Sequence, residues 1–533
     1  MTPLLLPLLL LSAAPNTEST SSEGSAGLKF IVAFPENIAS FHPSPPENKI
    51  YITSLSDGTS VNVQSNGYQN QTVLEKRQTR MFTFDEKHEL KKSEFSNLTL
   101  IIESQNKFTV HAVSSKTSSV QTALVIPTDQ LGTKYFIPPV PTIKGTTEEN
   151  DVDVTERQPF KLTIINTDRD NQVTVEADST KTLSLEPYQV AQVFITDDTY
   201  RAVKADHPVA VIFGHTCAIR LDCSCGLLYT MLPPANSDTL KFYIPPAVAE
   251  DAEDETYILL SREGSTKRER FDPDHPLVET AGAAVLFRPG LLLNLIPKTE
   301  FAACYVINTL QDVENFAVIV VHKDHSQGVH IGKSNLKDSE WDRLPKTDYV
   351  STKVSLSQRQ NVIWHNSSTM AVYFQGNQND TLFGNPATVI SKSPDYRGCV
   401  LTPEVIQIGE DAKSWQESVK YCEDQGKTLI SFPAAAHQTQ VYGKINQARG
   451  LWEVWIGMRR SSLTGEWYWL NKKPVGKTNW AQGEPGTAQD GQCAIMSVQW
   501  GFGWSDKDCC ARARPVCYKE PELLFHMEGS VQV

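Results

Sequence analysis

The chain has 533 residues, 40% of them hydrophobic and 21% charged, with a formal net charge of −13. At about 150 residues per domain, this length predicts three to four domains rather than one core. An acidic balance without any basic block argues against a nucleic-acid partner.

Residues 4–11 form an apolar run that is followed by Ser12-Ala13-Ala14. This reads as a secretory signal peptide over residues 1–14; Pro15 suits cleavage poorly and leaves the exact site open. The best later apolar stretch, 281–297, is interrupted by Arg288-Pro289-Gly290 and is shorter than the roughly 20 residues of a membrane span. The expectation is a secreted, extracellular protein with no membrane span. Ten cysteines fit an oxidising compartment. Sequons at Asn70, Asn97, Asn366 and Asn379 are N-glycosylation candidates on exposed loops or strand edges. The acidic runs 148–151 and 250–255 lack the spaced ligands of a calcium loop and read as solvated loops.

From Gly27 to about residue 390 the pattern is short strands rich in β-branched and aromatic residues, such as 29–34, 98–102 and 317–321. Asp57-Gly58, Asn66-Gly67 and Gly132-Thr133 supply turns. Lys134-Tyr135-Phe136-Ile137-Pro138-Pro139 recurs as Lys241-Phe242-Tyr243-Ile244-Pro245-Pro246, at the period of one β-sandwich. The expected divisions are 27–141 and 142–246 as β-sandwich-like repeats, then a β-rich region over 247–390. Cys217, Cys223, Cys225 and Cys304 are expected to form two bridges of unknown connectivity. His215 beside Cys217 does not make a nucleophile pair if Cys217 is bridged. His322, His325 and His330 straddle a strand end and a turn, so they do not converge as zinc ligands.

The last quarter carries landmarks in a fixed order. Trp415, Val419 and Cys422 lie at helical spacing, and a second helix is expected around 434–448 with Val441 and Ile445 inward. Trp455-Ile456-Gly457-Met458 reads as a central strand, with Gly457 where another backbone comes close. Trp467 and Trp469 alternate on the next strand. Asn479-Trp480, Glu484-Pro485-Gly486, Cys493, Trp504-Ser505-Asp506, Cys509 and Cys517 complete the series.

This order resembles a C-type lectin-like domain over about 396–519, leaving a tail at 520–533. The blocks 30–37, 126–136 and 205–217, with Cys223-Ser224-Cys225 and Leu232-Pro233-Pro234, resemble the N-terminal region of IgGFc-binding proteins over about 27–390. Together they imply a mostly β fold: tandem β-sandwich-like repeats followed by a C-terminal α+β lectin-like domain. The resemblance implies bridges Cys422–Cys517 and Cys493–Cys509, with Cys399–Cys510 as a third. It implies a cis peptide before Pro485 and a calcium site at which Glu484 and Asp506 match the family's ligands. Gly486, Gly491 and Ser505 stand where other ligands are expected, so the site is degenerate; Gln489 and Asp490 are nearby compensating candidates. Calcium needs about six to eight oxygens, so no cofactor is certain.

No nucleophile, base and orienting group can be assembled, and no cofactor loop is present, so no enzyme is expected. The expected function is recognition of a glycan or protein ligand by the lectin-like head, in mucosal or innate defence. The alternative is a structural or adhesion protein of mucus whose β-rich arm binds immunoglobulin or mucin.

Overall fold

The computed structural model describes residues 24–527, apart from 39–44, 117–118, 147–150, 154–158, 178, 196, 198, 220–224, 250–255, 337–338, 379–380, 433–437, 439–440, 444, 446–451, 474, 487–490 and 499–500. The expected signal peptide and the acidic runs 148–151 and 250–255 therefore lie largely or wholly outside the described residues. The chain forms two compact units, Met1–Cys399 and Val400–Val533.

The first unit is built of antiparallel sheets apart from one short parallel pair, Phe34–Pro35 with Glu89–Leu90, and its short segments rich in β-branched residues suit strands. Its first sheet has Leu100–Lys116 at the centre. Gly27–Val32, Glu47–Ser54, Thr59–Ser65 and Ser119–Leu124 all pair with that strand. Along Glu47–Ser54, Ile50 and Ile52 are fully buried in the core, so Lys49 and Tyr51 lie on the opposite face. A second sheet is organised around Arg201–Ile219. A four-stranded sheet includes Tyr257–Arg262 and Ala283–Arg288, and two five-stranded sheets are built around Cys304–Asn308 and Glu314–His322.

Hydrophobic clusters run across the positions expected as boundaries. Ile165, Val190 and Ile212 pack with Phe30 and Phe34. Leu259 and Val285 join the cluster of Tyr135 and Phe213, while Val318 joins that of Phe242. Val113 and Val120 of the first sheet pack with Ile319 and Phe374.

The recurring hexapeptides begin on strands, Gly132–Ile137 and Thr239–Tyr243. A further echo appears only in three dimensions. Tyr135 Oη accepts from Gly132 N (3.0 Å) and donates to Val209 O (2.6 Å). Tyr305 Oη repeats this with Ala302 N (3.0 Å) and Met370 O (2.6 Å). Each tyrosine follows a proline and a single 3₁₀ turn, Pro127 with Thr128–Gln130 and Pro297 with Lys298–Glu300.

Two disulfide expectations are corrected. Cys304 bonds Cys399, with Cα atoms 5.5 Å apart, and both are buried. Cys304 is therefore not part of a two-bridge set with Cys217, Cys223 and Cys225, and the Cys399–Cys510 bridge does not form. Cys510 is free and exposed, because the sulfur of Cys399 is already bonded to that of Cys304. Cys217 is disulfide-bonded, and the side chains of Cys223 and Cys225 lie outside the described residues.

In the second unit the strand order is Val405–Ile408, Arg514–Lys519, Glu453–Arg460, Cys493–Ser497, Trp504–Lys507. The helix Trp415–Glu423 starts at a capping box: Ser414 Oγ accepts from Glu417 N, and Glu417 Oε2 accepts from Ser414 N. It buries Trp415, Ser418 and Cys422. Disulfides join Cys422 to Cys517 and Cys493 to Cys509. Most of the expected helix at 434–448 lies outside the described residues, but Val441 and Ile445 are fully buried. The tail includes a strand, Glu522–His526, with Leu523 and Leu524 buried.

Candidate functional site

Packing of the second unit sets where its loop can present side chains. Trp504 is fully buried, 5.8 Å from Phe432 in a stacked pair and edge-on to Trp469 at 5.4 Å. Its backbone holds the preceding loop: Trp504 N donates to Asn479 O (2.7 Å), and Ala481 N donates to Trp504 O (2.8 Å). These aromatics fill the core, which leaves the next turn, Gly483-Glu484-Pro485-Gly486, to face the strand bearing Asp506.

The Glu484–Pro485 peptide is cis. Gly486 N donates to Glu484 Oε2 (3.1 Å) and to Asp506 Oδ1 (2.7 Å). Asp506 is 9% exposed, and its Oδ2 is buried without a partner among the described residues. A hydrogen bond with the Asp506 carboxyl, reinforced by partial burial, raises the Glu484 carboxyl above its ordinary range.

The structure thus brings Glu484 and Asp506 together. Gln489 and Asp490 lie outside the described residues. Gly491 has φ +152°, and a Cβ there would sit 2.2 Å from the Lys507 backbone carbonyl carbon. An acidic side chain cannot occupy this position without moving the strand. The described residues therefore supply two carboxylates, short of the about six to eight oxygens of a calcium shell, and do not by themselves fit a resident calcium ion. The turn glycine is the residue whose role the sequence left unread; only its neighbour across the loop makes it necessary.

Gly457 sits where expected: a Cβ there would lie 2.5 Å from Leu429 O, and Gly457 N donates to Ile430 O (2.6 Å). Large exposed apolar side chains of this unit include Leu463, in the turn after Glu453–Arg460, and Tyr468, on the next strand.

The other candidates are placed as follows. Asn70 and Asn97 are exposed and Asn366 is half-buried; Asn379 lies outside the described residues. His215 Nδ1 accepts from Cys217 N (3.1 Å), not from its sulfur. His322 Nδ1 accepts from Asp324 N, His325 Nδ1 bonds Ser368 Oγ, and His330 stacks on Trp364 with centroids 4.3 Å apart. Each imidazole is thus held by its own neighbours.

Residues 121–290 match the family model for the IgGFc binding protein, and residues 411–519 match that for the lectin C-type domain. Human IgGFc-binding protein is 23% identical over 380 residues, covering 63% of this chain and 7% of that one. Human C-type mannose receptor 2 is 29% identical over 108 residues, covering 20% of this chain and 7% of the receptor. C-type lectin lectoxin-Phi1 of Philodryas olfersii is 29% identical over 111 residues, 71% of its length. Among solved structures, human lithostathine is 24% identical over 22% of this chain and 92% of its own, with a TM-score of 0.21. The chain spans 7% of the lengths of the mannose receptor and of the IgGFc-binding protein. The fold is mostly β, and the chain joins a region that matches the IgGFc binding protein family model to a C-terminal region that matches the lectin C-type domain.

Proposed function

We propose that this lectin-like recognition protein is secreted and non-catalytic, and that its lectin domain binds a glycan or protein ligand in mucosal or innate defence. The observation that carries this reading is the paired carboxylates of Glu484 and Asp506 on one backbone amide, with one Asp506 oxygen unpartnered among the described residues. Such an oxygen is a ready acceptor for a ligand hydroxyl or amide. Three disulfides among the described residues support an oxidising, extracellular setting.

The test is binding of the full chain to an array of glycans and mucosal glycoproteins, with calcium and with EDTA, beside the E484A/D506A variant. Binding that the variant loses supports the reading. Retention of all binding by the variant, or no binding in either condition, removes the loop as the ligand site. Survival of binding in EDTA makes the ligand calcium-independent.

A second reading is favoured by the family match over 121–290: the β-rich region binds immunoglobulin or mucin, and the lectin domain is accessory. Fragments divided between Cys399 and Val400 separate the readings. A cut near Ser391 would sever the Cys304–Cys399 bridge and confuse lost binding with lost folding.

A further inference from the structure

One face of the first sheet is not taken up by its own core. Ile50 and Ile52 point into that core, so Lys49 and Tyr51 line the other face. Val113 lies directly opposite Lys49, and Met81 directly opposite Tyr51. Facing them are the turn residues 308–313 and Arg359-Gln360, and the space between is a cleft of about 840 Å³. Hydrogen bonds tie its two walls. Asn308 Nδ2 donates to Thr53 Oγ1 (2.9 Å), and Thr79 Oγ1 donates to Asn308 Oδ1 (3.2 Å). Gln360 Nε2 donates to Thr79 Oγ1 and to Arg77 O, both at 3.0 Å.

The charge in this cleft opposes that of the chain. Lys49, Arg77, Lys116 and Arg359 line it against Glu47 and Asp312, four cations to two anions, in a protein of net charge −13. Lys49 is paired with Glu47 at 2.6 Å. Lys116 is half-buried and Arg359 is exposed, and neither has an ion pair or side-chain hydrogen bond among the described residues. Cations that line one cleft without counter-charges give it a positive potential that favours an anionic ligand.

We propose that this cleft binds an anionic oligosaccharide, sulfated or sialylated, at a site separate from the lectin loop. Its donors are side-chain amides, hydroxyls and cations, with the Tyr51 ring as an apolar platform; these match a hydroxyl-rich, anion-bearing sugar. An extended peptide is instead recognised through backbone groups at a sheet edge. The strand bearing Lys49 and Tyr51 is paired on both sides, which leaves no such edge in that wall.

The test is fluorescence polarisation on the full chain in EDTA, with labelled chondroitin sulfate hexasaccharide, sialyllactose and neutral maltohexaose as probes. At least one anionic sugar binds, which identifies sulfate or sialate as the group read, and the neutral sugar does not. The K116E/R359E variant weakens binding at least tenfold and K116Q/R359Q several-fold, with unchanged melting temperatures, while K107E and E484Q/D506N leave it intact. Affinity falls as sodium chloride rises. Failure of both anionic sugars to bind overturns the proposal, as does equal binding of maltohexaose. Full affinity in the folded K116Q/R359Q variant also overturns it, and displacement by a hexaglutamate peptide at equal affinity would reassign the cleft to a protein ligand.

Discussion

Glu484 and Asp506 share a single backbone donor: the Gly486 amide lies 3.1 Å from one carboxylate and 2.7 Å from the other. Two acids drawn to one amide repel each other unless one holds a proton or a cation lies between them. The proton is the option visible in the chain's own residues, because the Glu484 carboxyl titrates above its ordinary range, chiefly through Asp506.

That arrangement has a signed consequence. A carboxyl whose folded pKa is raised favours the folded state most below its unfolded pKa, and this contribution is lost as pH rises through the folded value. The E484Q variant is therefore expected to melt higher than the parent at pH 7 without calcium, with the difference shrinking as pH falls toward 4. Thermal melts across that range check it; a variant that melts lower at pH 7 would mean the carboxylates do not repel.

His111 gives the first unit an acid limit. It is fully buried, its Nε2 meets Asn385 Oδ1 at 3.1 Å, and burial pushes its pKa down from 6.5 to about 4. A depressed histidine contributes stability that is complete above its unfolded pKa and is lost as pH falls from 6.5 toward 4. Each tenfold change in proton affinity is worth about 1.4 kcal/mol, so the loss is about 3 kcal/mol. Denaturant unfolding should show a steeper loss over this range in the parent than in H111Q, which retains the burial-depressed His330 and His365.

The long bridge should matter more than its single bond suggests. Cys304 and Cys399 are 95 residues apart, so their bond removes roughly 4–5 kcal/mol of unfolded-state entropy in the chain-entropy model. C304S/C399S is expected to lower the unfolding midpoint of the first unit strongly. Thiol labelling of the folded, unreduced parent should mark the peptide containing Cys510; absence of label there would show that Cys510 is bonded.

Two glycines hold the lectin domain's close contacts. G457A places a methyl 2.5 Å from Leu429 O and is expected to cost roughly 1–3 kcal/mol. G491D, the substitution that would seem to restore a calcium ligand, should destabilise the domain and fail to increase calcium affinity, because its Cβ meets the Lys507 backbone. Calorimetric titration of calcium into the folded variant decides this; a clear gain in affinity would show that the loop can accommodate the side chain.

The readable parts of this chain were those encoded by neighbours. The β-branched runs at 29–34, 98–102 and 317–321 announce strands, and Trp415, Val419 and Cys422 at helical spacing announce a helix. The fixed order from Trp415 to Cys517 carries the resemblance to the lectin domain, and the cis bond before Pro485 is what that resemblance implied. In each case the determining contacts lie within a few residues or within a pattern of spacing, so local sequence carries them.

Tertiary structure decided what depends on distant partners. The resemblance assigned Cys399 to Cys510, but the fold brings it to Cys304, because a bridge forms between sulfurs that packing places together and not between those that complete a count. Tyr305 repeats the hydrogen bonds of Tyr135 although the residues around it diverge. The basic cleft has the same origin: Lys116 and Arg359 are 243 positions apart and line one cleft only because distant sheets of the unit face one another. Periodicity states which face a side chain takes, while the identity of what faces it is set by the long-range packing of the sheets.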